Sequence, residues 1–159
     1  MTSTSPHDSK AQRDAEVDIL AKLSDELGTL LAPRKWQLTE GVPVEVDGVD
    51  ADTTVFVEVY ARVGRLKGAQ LHKVAKDVLK LSLIRSHEQR QDREPRLMIV
   101  FASDEAYNSV RGWVRYAATD NGIELRVVEP SAQIRDQVLT AQTEQVMVGI
   151  AQVTDTAEL

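Results

Sequence analysis

Residues 42–81 read VPVEVDGVDADTTVFVEVYARVGRLKGAQLHKVAKDVLKL, and this stretch decides the fold. In the run 55–61, Val55, Val57 and Val59 alternate with Phe56, Glu58 and Tyr60, so the two sets project from opposite faces of a strand. Glu58 lies in the middle of that apolar run. A carboxylate there is rarely buried unless it is paired, hydrogen-bonded or bound to a cation, so Glu58 requires a partner or a solvated cleft.

The preceding strand-like run, 42–49, carries Asp47 eleven positions earlier, across a polar Asp-Ala-Asp-Thr turn. Pairing 44–49 with 55–61 as a hairpin brings the two carboxylates toward one divalent ion. Two hard oxygen ligands plus waters suit magnesium, or manganese in its place. Asp50 and Asp52 are alternatives for the first acid, but both fall in the turn, so Asp47 is preferred. After the second strand, 68–85 reads as a helix with Leu71, Val74, Ala75, Val78, Leu79 and Ser82 on one side. Gln70, Lys73, Asp77 and Lys80 form a stripe at i, i+3, i+7 and i+10 that edges the packed face and is placed to look over the acids. An i,i+4 ion pair between Lys73 and Asp77 accounts for part of the same stripe.

An acid on one strand, an acid two residues before a third polar position on the next, and then a packed helix: this resembles the PD-(D/E)XK nuclease superfamily. The run Gly64-Arg65-Leu66-Lys67-Gly68-Ala69-Gln70-Leu71-His72-Lys73, with Asp77 and Lys80-Leu81, is similar to a group of small bacterial proteins of that type. The resemblance covers roughly residues 12–130. It implies an α/β fold with the restriction-endonuclease-like αβββαβ core, a mixed central sheet flanked by helices, here followed by a C-terminal αβα extension. It also implies a magnesium-dependent nuclease with Asp47 and Glu58 as metal ligands. The lysine of the pattern is replaced by Tyr60, which carries no positive charge at neutral pH. The implied replacements are Lys67 or Lys73 from the helix, with Gln70 orienting water or phosphate, and Glu16 from the first helix, Tyr60 and Asp77 as accessory residues.

The chain carries a net charge of −6, which argues against indiscriminate nucleic-acid binding. The balance is uneven. Between Arg62 and Arg93 nine Lys or Arg face three acids, a net +6, leaving −12 on the remainder. A basic segment directly after candidate metal ligands is where a phosphodiester backbone is held, which nominates Arg62, Arg65, Lys76 and Lys80 as contacts to DNA or another nucleic acid. A solvated helix face followed by a charged loop explains the same charges without a ligand.

At 159 residues one domain is expected, spanning 11–150, with a disordered arm at 1–10 and a flexible tail at 151–159. With no cysteine there are no disulfides and no thiolate chemistry, in keeping with a cytoplasmic location. Neither a membrane-spanning run nor a secretory signal is expected. His7, His72 and His87 are scattered, so no histidine catalytic constellation is read.

Apolar spacing predicts a first helix over 12–31 ended by Pro33, and a short strand over 35–40. Beyond the central stretch, 86–95 reads as a charged loop and 96–102 as a buried strand. One helix from Ser103 to Asn121-Gly122, a strand over 123–128, and a last helix from Pro130 to about Val148 follow. Two functions compete: a metal-dependent DNA nuclease, and a non-catalytic module of the same fold that binds nucleic acid or a protein partner. A homodimer is compatible with either, since two copies of such a nuclease can cut two strands.

Overall fold

Helix α1 (Pro6–Leu27) opens the structure, a computed structural model that describes the backbone of residues 6–156 and the side chains of 10–153. The expected arm, 1–10, therefore lies partly outside the described residues, and its second half is helical, begun by a proline whose fixed φ suits the first helical turn. Ala15, Ile19, Leu20 and Leu23 bury one stripe of α1. The helix stops earlier than Pro33. Gly28 adopts φ +68°, its N–H bonds the Asp25 carbonyl and the Thr29 N–H bonds the Ser24 carbonyl, which is a Schellman ending. Leu31 is buried all the same, in the coil that follows, where its N–H donates to Ser24 Oγ at 3.0 Å.

Pro33 instead lies in β1 (Ala32–Thr39), an edge strand where a missing donor is tolerated. β1 pairs antiparallel with β2 (Val42–Val49), which in turn pairs antiparallel with β3 (Val55–Tyr60). All six residues of β3 are buried, because both of its faces are covered. Helix α2 (Gly68–Gln89) then crosses over to β4 (Arg96–Phe101), which runs parallel to β3 with Glu58 opposite Ile99. α2 extends past the expected Arg85 because Leu81, Ile84 and Glu88 continue its buried face. The chain then turns at Asp92 (φ +57°), with the Arg93 N–H on the Glu88 carbonyl at 3.0 Å.

The single helix expected after β4 is two helices, α3 (Asp104–Ser109) and α4 (Gly112–Asp120). Val110 leaves the helix in an extended conformation to enter the core, and Gly112 resumes it from φ +62°. Ser103 caps α3 by accepting the Ala106 N–H, as its position before Asp104 and Glu105 predicts. β5 (Ile123–Val127) lies parallel to β4, and α5 (Ala132–Thr156) outruns the expected Val148 because no proline follows Pro130 to interrupt it. Of the expected tail, 151–156 is thus helical and 157–159 lies outside the described residues.

The fold is α/β, with a five-stranded mixed sheet in the order β1-β2-β3-β4-β5 flanked by helices. Phe56, Tyr60, Leu81, Ile84, Ile99 and Phe101 form the core beneath α2, α3 and α4. Ile19, Leu23, Val57, Val59, Met98 and Val100 form the core beneath α1 and α5. The alternation of β3 read from sequence thus divides the two layers, with Glu58 pointing toward the α2 layer between Phe56 and Tyr60. Among the described residues no helix is long and apolar enough to cross a membrane.

Candidate active site

The β2–β3 ladder is short, and its early end builds the site. Only Gly48↔Val57 and Val49↔Phe56 pair; beyond them the strands part, and the Val59 N–H donates to the carboxylate of Asp47, Oδ2, at 2.8 Å. The side chain replaces a ladder carbonyl, so the fork opens without orphaning a backbone donor. The hairpin is held at its turn by Asp50, which accepts from the Thr54 N–H (2.7 Å), Thr54 Oγ1 (2.6 Å) and the Val55 N–H (2.9 Å). Asp50 is consumed by that turn and Asp52 is exposed in it, so Asp47 is the acid at the fork.

Glu58 is 1% exposed, and the Lys80 ammonium reaches it from α2 at 2.6 Å from Oε1. Lys80 also lies 3.2 Å from Asp77 Oδ1 and donates to the Glu45 carbonyl at 2.9 Å. The Tyr60 hydroxyl donates to the other Asp77 oxygen, Oδ2, at 2.5 Å. The chain thus links strand acid, helix lysine, helix acid and strand phenol. The ammonium lies directly against Glu58 Oε1, so this buried oxygen already faces a cation.

Electrostatics follow from this crowding. Burial first, then the Asp47 and Asp77 charges, raise the Glu58 carboxyl above its ordinary value, against the pull of the Lys80 ammonium paired with it. Burial and the Asp77 carboxylate raise the Tyr60 phenol well above its ordinary value, so it stays a donor. For Lys80 burial works downward, but Glu58 and Asp77 outweigh it and the ammonium is held above its usual range. Half-buried Glu16 on α1 is raised by burial and by Asp47 and lowered by Lys73, which joins it electrostatically to the same group.

The remaining candidates are distributed differently. Lys67 is exposed at the start of α2, and Gln70 Oε1 accepts its backbone N–H at 2.8 Å, so this glutamine closes the helix end. Lys73 is exposed with its ammonium 5.0 Å above the Tyr60 ring. Arg65 and Lys76 are exposed, whereas Arg62 is half-buried. Lys80, read from sequence as a backbone contact, faces the acids instead. The signal for it was present in the stripe: Lys80 is the i+3 neighbour of Asp77, and Tyr60 fixes Asp77 over β3. His72 is exposed, His87 sits beside Glu88 at the far end of α2, and the His7 side chain lies outside the described residues.

Among the described residues no three His, Asp or Glu side chains gather closely enough to form an all-protein metal cage. Two carboxylates completed by water are the magnesium pattern; of the two acids here, Glu58 Oε1 already faces the Lys80 ammonium and Asp47 Oδ2 accepts the Val59 N–H. Compared with known proteins, the chain matches no family model, no curated protein and no solved structure.

Proposed function

We propose that the chain is a magnesium-dependent phosphodiesterase acting on DNA, of the restriction-endonuclease-like type, in which a lysine from α2 replaces the missing strand lysine. The observation that carries this reading is the 2.6 Å contact between the Lys80 ammonium and Glu58 Oε1. It supplies a positive charge at the acid pair, which Tyr60 in the strand does not. Neither Lys67 nor Lys73, the replacements expected from sequence, makes that contact. The order of α1, three antiparallel strands, α2 and a parallel β4 agrees with the αβββαβ core.

Asp47 and Glu58 would hold the metal, and Lewis-acid polarisation of the scissile phosphate is the chemistry magnesium supplies when bound. Lys80 offsets the negative charge of the acids where the phosphate would approach, its ammonium held by Glu58, Asp77 and the Glu45 carbonyl. Tyr60 keeps Asp77 oriented through its hydroxyl. Arg65 and Lys76 present an exposed basic face for the backbone of a bound strand.

A second reading, a non-catalytic binding module of this fold, draws on the near-complete burial of Glu58 and on its neutralisation from within the chain. Incubation of plasmid and single-stranded DNA with the protein, with and without magnesium or manganese, separates the two. Cleavage that needs metal and disappears in Glu58→Gln and Lys80→Met supports the nuclease. Folded wild type that neither binds metal nor cuts leaves the binding module.

A further inference from the structure

A cavity of about 180 Å3 opens at the end of β3, walled by α1, the first turns of α2, and α5. Arg62 and Lys73 line it together with the side-chain amides of Gln12, Gln70 and Gln142; among the described residues no carboxylate lines it, and the nearby Glu16 accepts from Gln12. Arg62 Nε is buried and has no hydrogen-bond partner among the described residues. A buried donor on a permanently charged group is destabilising without an acceptor, which an anion in this cavity would supply. Lys73 makes no ion pair among the described residues and is held over the Tyr60 ring. The wall is fixed: Gln142 Nε2 donates to the Val63 carbonyl at 2.9 Å, and the Val63 N–H donates back to Gln142 Oε1 at 3.1 Å. That double bond clamps the backbone one residue beyond Arg62.

The cavity shares a wall with the acids. Val59 and Tyr60 line it, and these are the residues whose N–H and hydroxyl engage Asp47 and Asp77. We propose that it binds the terminal phosphate monoester of a polynucleotide strand. Two cations, with no lining acid among the described residues, match a group of charge approaching −2, whereas an internal phosphodiester carries one charge. The volume admits a phosphate with part of its sugar and excludes a continuing duplex. That the phosphate belongs to a strand rests on the nuclease reading above, and it makes the enzyme one that works from strand ends.

The test is fluorescence anisotropy on the full chain in EDTA, where no cleavage occurs, with three single-stranded oligonucleotides of one sequence: 5′-phosphorylated, 3′-phosphorylated and hydroxyl-ended. One phosphorylated isomer is expected to bind at least tenfold more tightly than the hydroxyl-ended strand, and Arg62→Gln and Lys73→Gln are each expected to remove that preference. Lys73 is exposed on α2, so its variant decides the question even where Arg62→Gln does not fold. Equal binding of all three strands, or a preference that survives Lys73→Gln, overturns the proposal. Inorganic phosphate competing as tightly as the phosphorylated strand overturns the strand as ligand. Cleavage with magnesium is scored separately: end preference without cleavage leaves the pocket and removes the nuclease, and cleavage without end preference does the reverse.

Discussion

Lys80 on α2 and Glu58 on β3 form a buried ion pair at 2.6 Å, the helix residue supplying the charge that the strand lacks. Breaking such a pair from one side leaves the other charge stranded, and a full burial would cost about 3–5 kcal/mol. The Lys80 side chain is 21% exposed and Glu58 can take up a proton, so Lys80→Met is expected to lose less, about 2 kcal/mol. Glu58→Gln/Lys80→Met should lose less than the sum of the single variants, by on the order of 1 kcal/mol. Urea unfolding of the four proteins of the cycle measures this; strict additivity would mean the two groups do not interact in solution.

The Tyr60 hydroxyl has one task in the structure, its 2.5 Å bond to Asp77. Tyr60→Phe keeps the ring stacked on Phe101 and beneath Lys73, and removes only that donor from a buried carboxylate. Loss of a hydrogen bond to a charged acceptor predicts destabilisation of about 1.5–3 kcal/mol. In the nuclease reading, cleavage falls as well, through a misplaced Asp77 and Lys80. A thermal melt of the variant unchanged from wild type would show that the hydroxyl is not engaged.

How far the sequence could be read depended on whether the signal was local. The alternation of 55–61 and the i, i+3, i+7, i+10 stripe of α2 are local, and they led to Glu58, Asp77 and Lys80 as neighbours of one site. What Lys80 does there was not legible, because strand and helix meet only through the β3–α2 packing. The end of α1 was misread for a different reason. Leu30 and Leu31 continue the apolar period, but Gly28 and the Ser24 side chain turn the chain four residues before Leu31 would have been reached. The break between α3 and α4 likewise depends on Val110 gaining more from the core than from a continuous helix. Arg62 was read as a nucleic-acid contact, and its place at a cavity shared with α1, α2 and α5 was not legible, because no local pattern brings those helices together.

Magnesium binding should stabilise the protein, since a ligand that binds only the folded state adds RT ln(1 + [L]/Kd), about 2.7 kcal/mol at a hundredfold excess over Kd. The expected result is a rise in Tm with magnesium or manganese that calorimetry matches with one site per chain. Asp47→Asn and Glu58→Gln should each abolish it, while Asp50→Asn, which weakens the turn, lowers the starting Tm but keeps the shift. A metal-induced rise that survives Glu58→Gln would place the ion elsewhere.

A second buried carboxylate, Glu88 at the other end of α2, predicts a contribution to acid stability. Glu88 is fully buried, with Arg93 Nε and Nη2 on its two oxygens and His87 beside it. The Arg93 hydrogen bonds hold its carboxyl below the ordinary value against the effect of burial. Because the folded value is depressed, the unfolded chain binds the proton more readily. The contribution of Glu88 is therefore complete above the ordinary glutamate range, around pH 4.5, and is lost as pH falls through the lower folded value. Glu88→Gln is expected to be less stable than wild type at pH 7 and to lose less on going from pH 5 to pH 3, so the two stability curves converge in acid. Denaturant midpoints across that interval test it. Parallel curves would mean that the Arg93 pair does not lower the carboxyl; Asp50, held low against burial by its hydrogen bonds from Thr54 and Val55, is the next group to test.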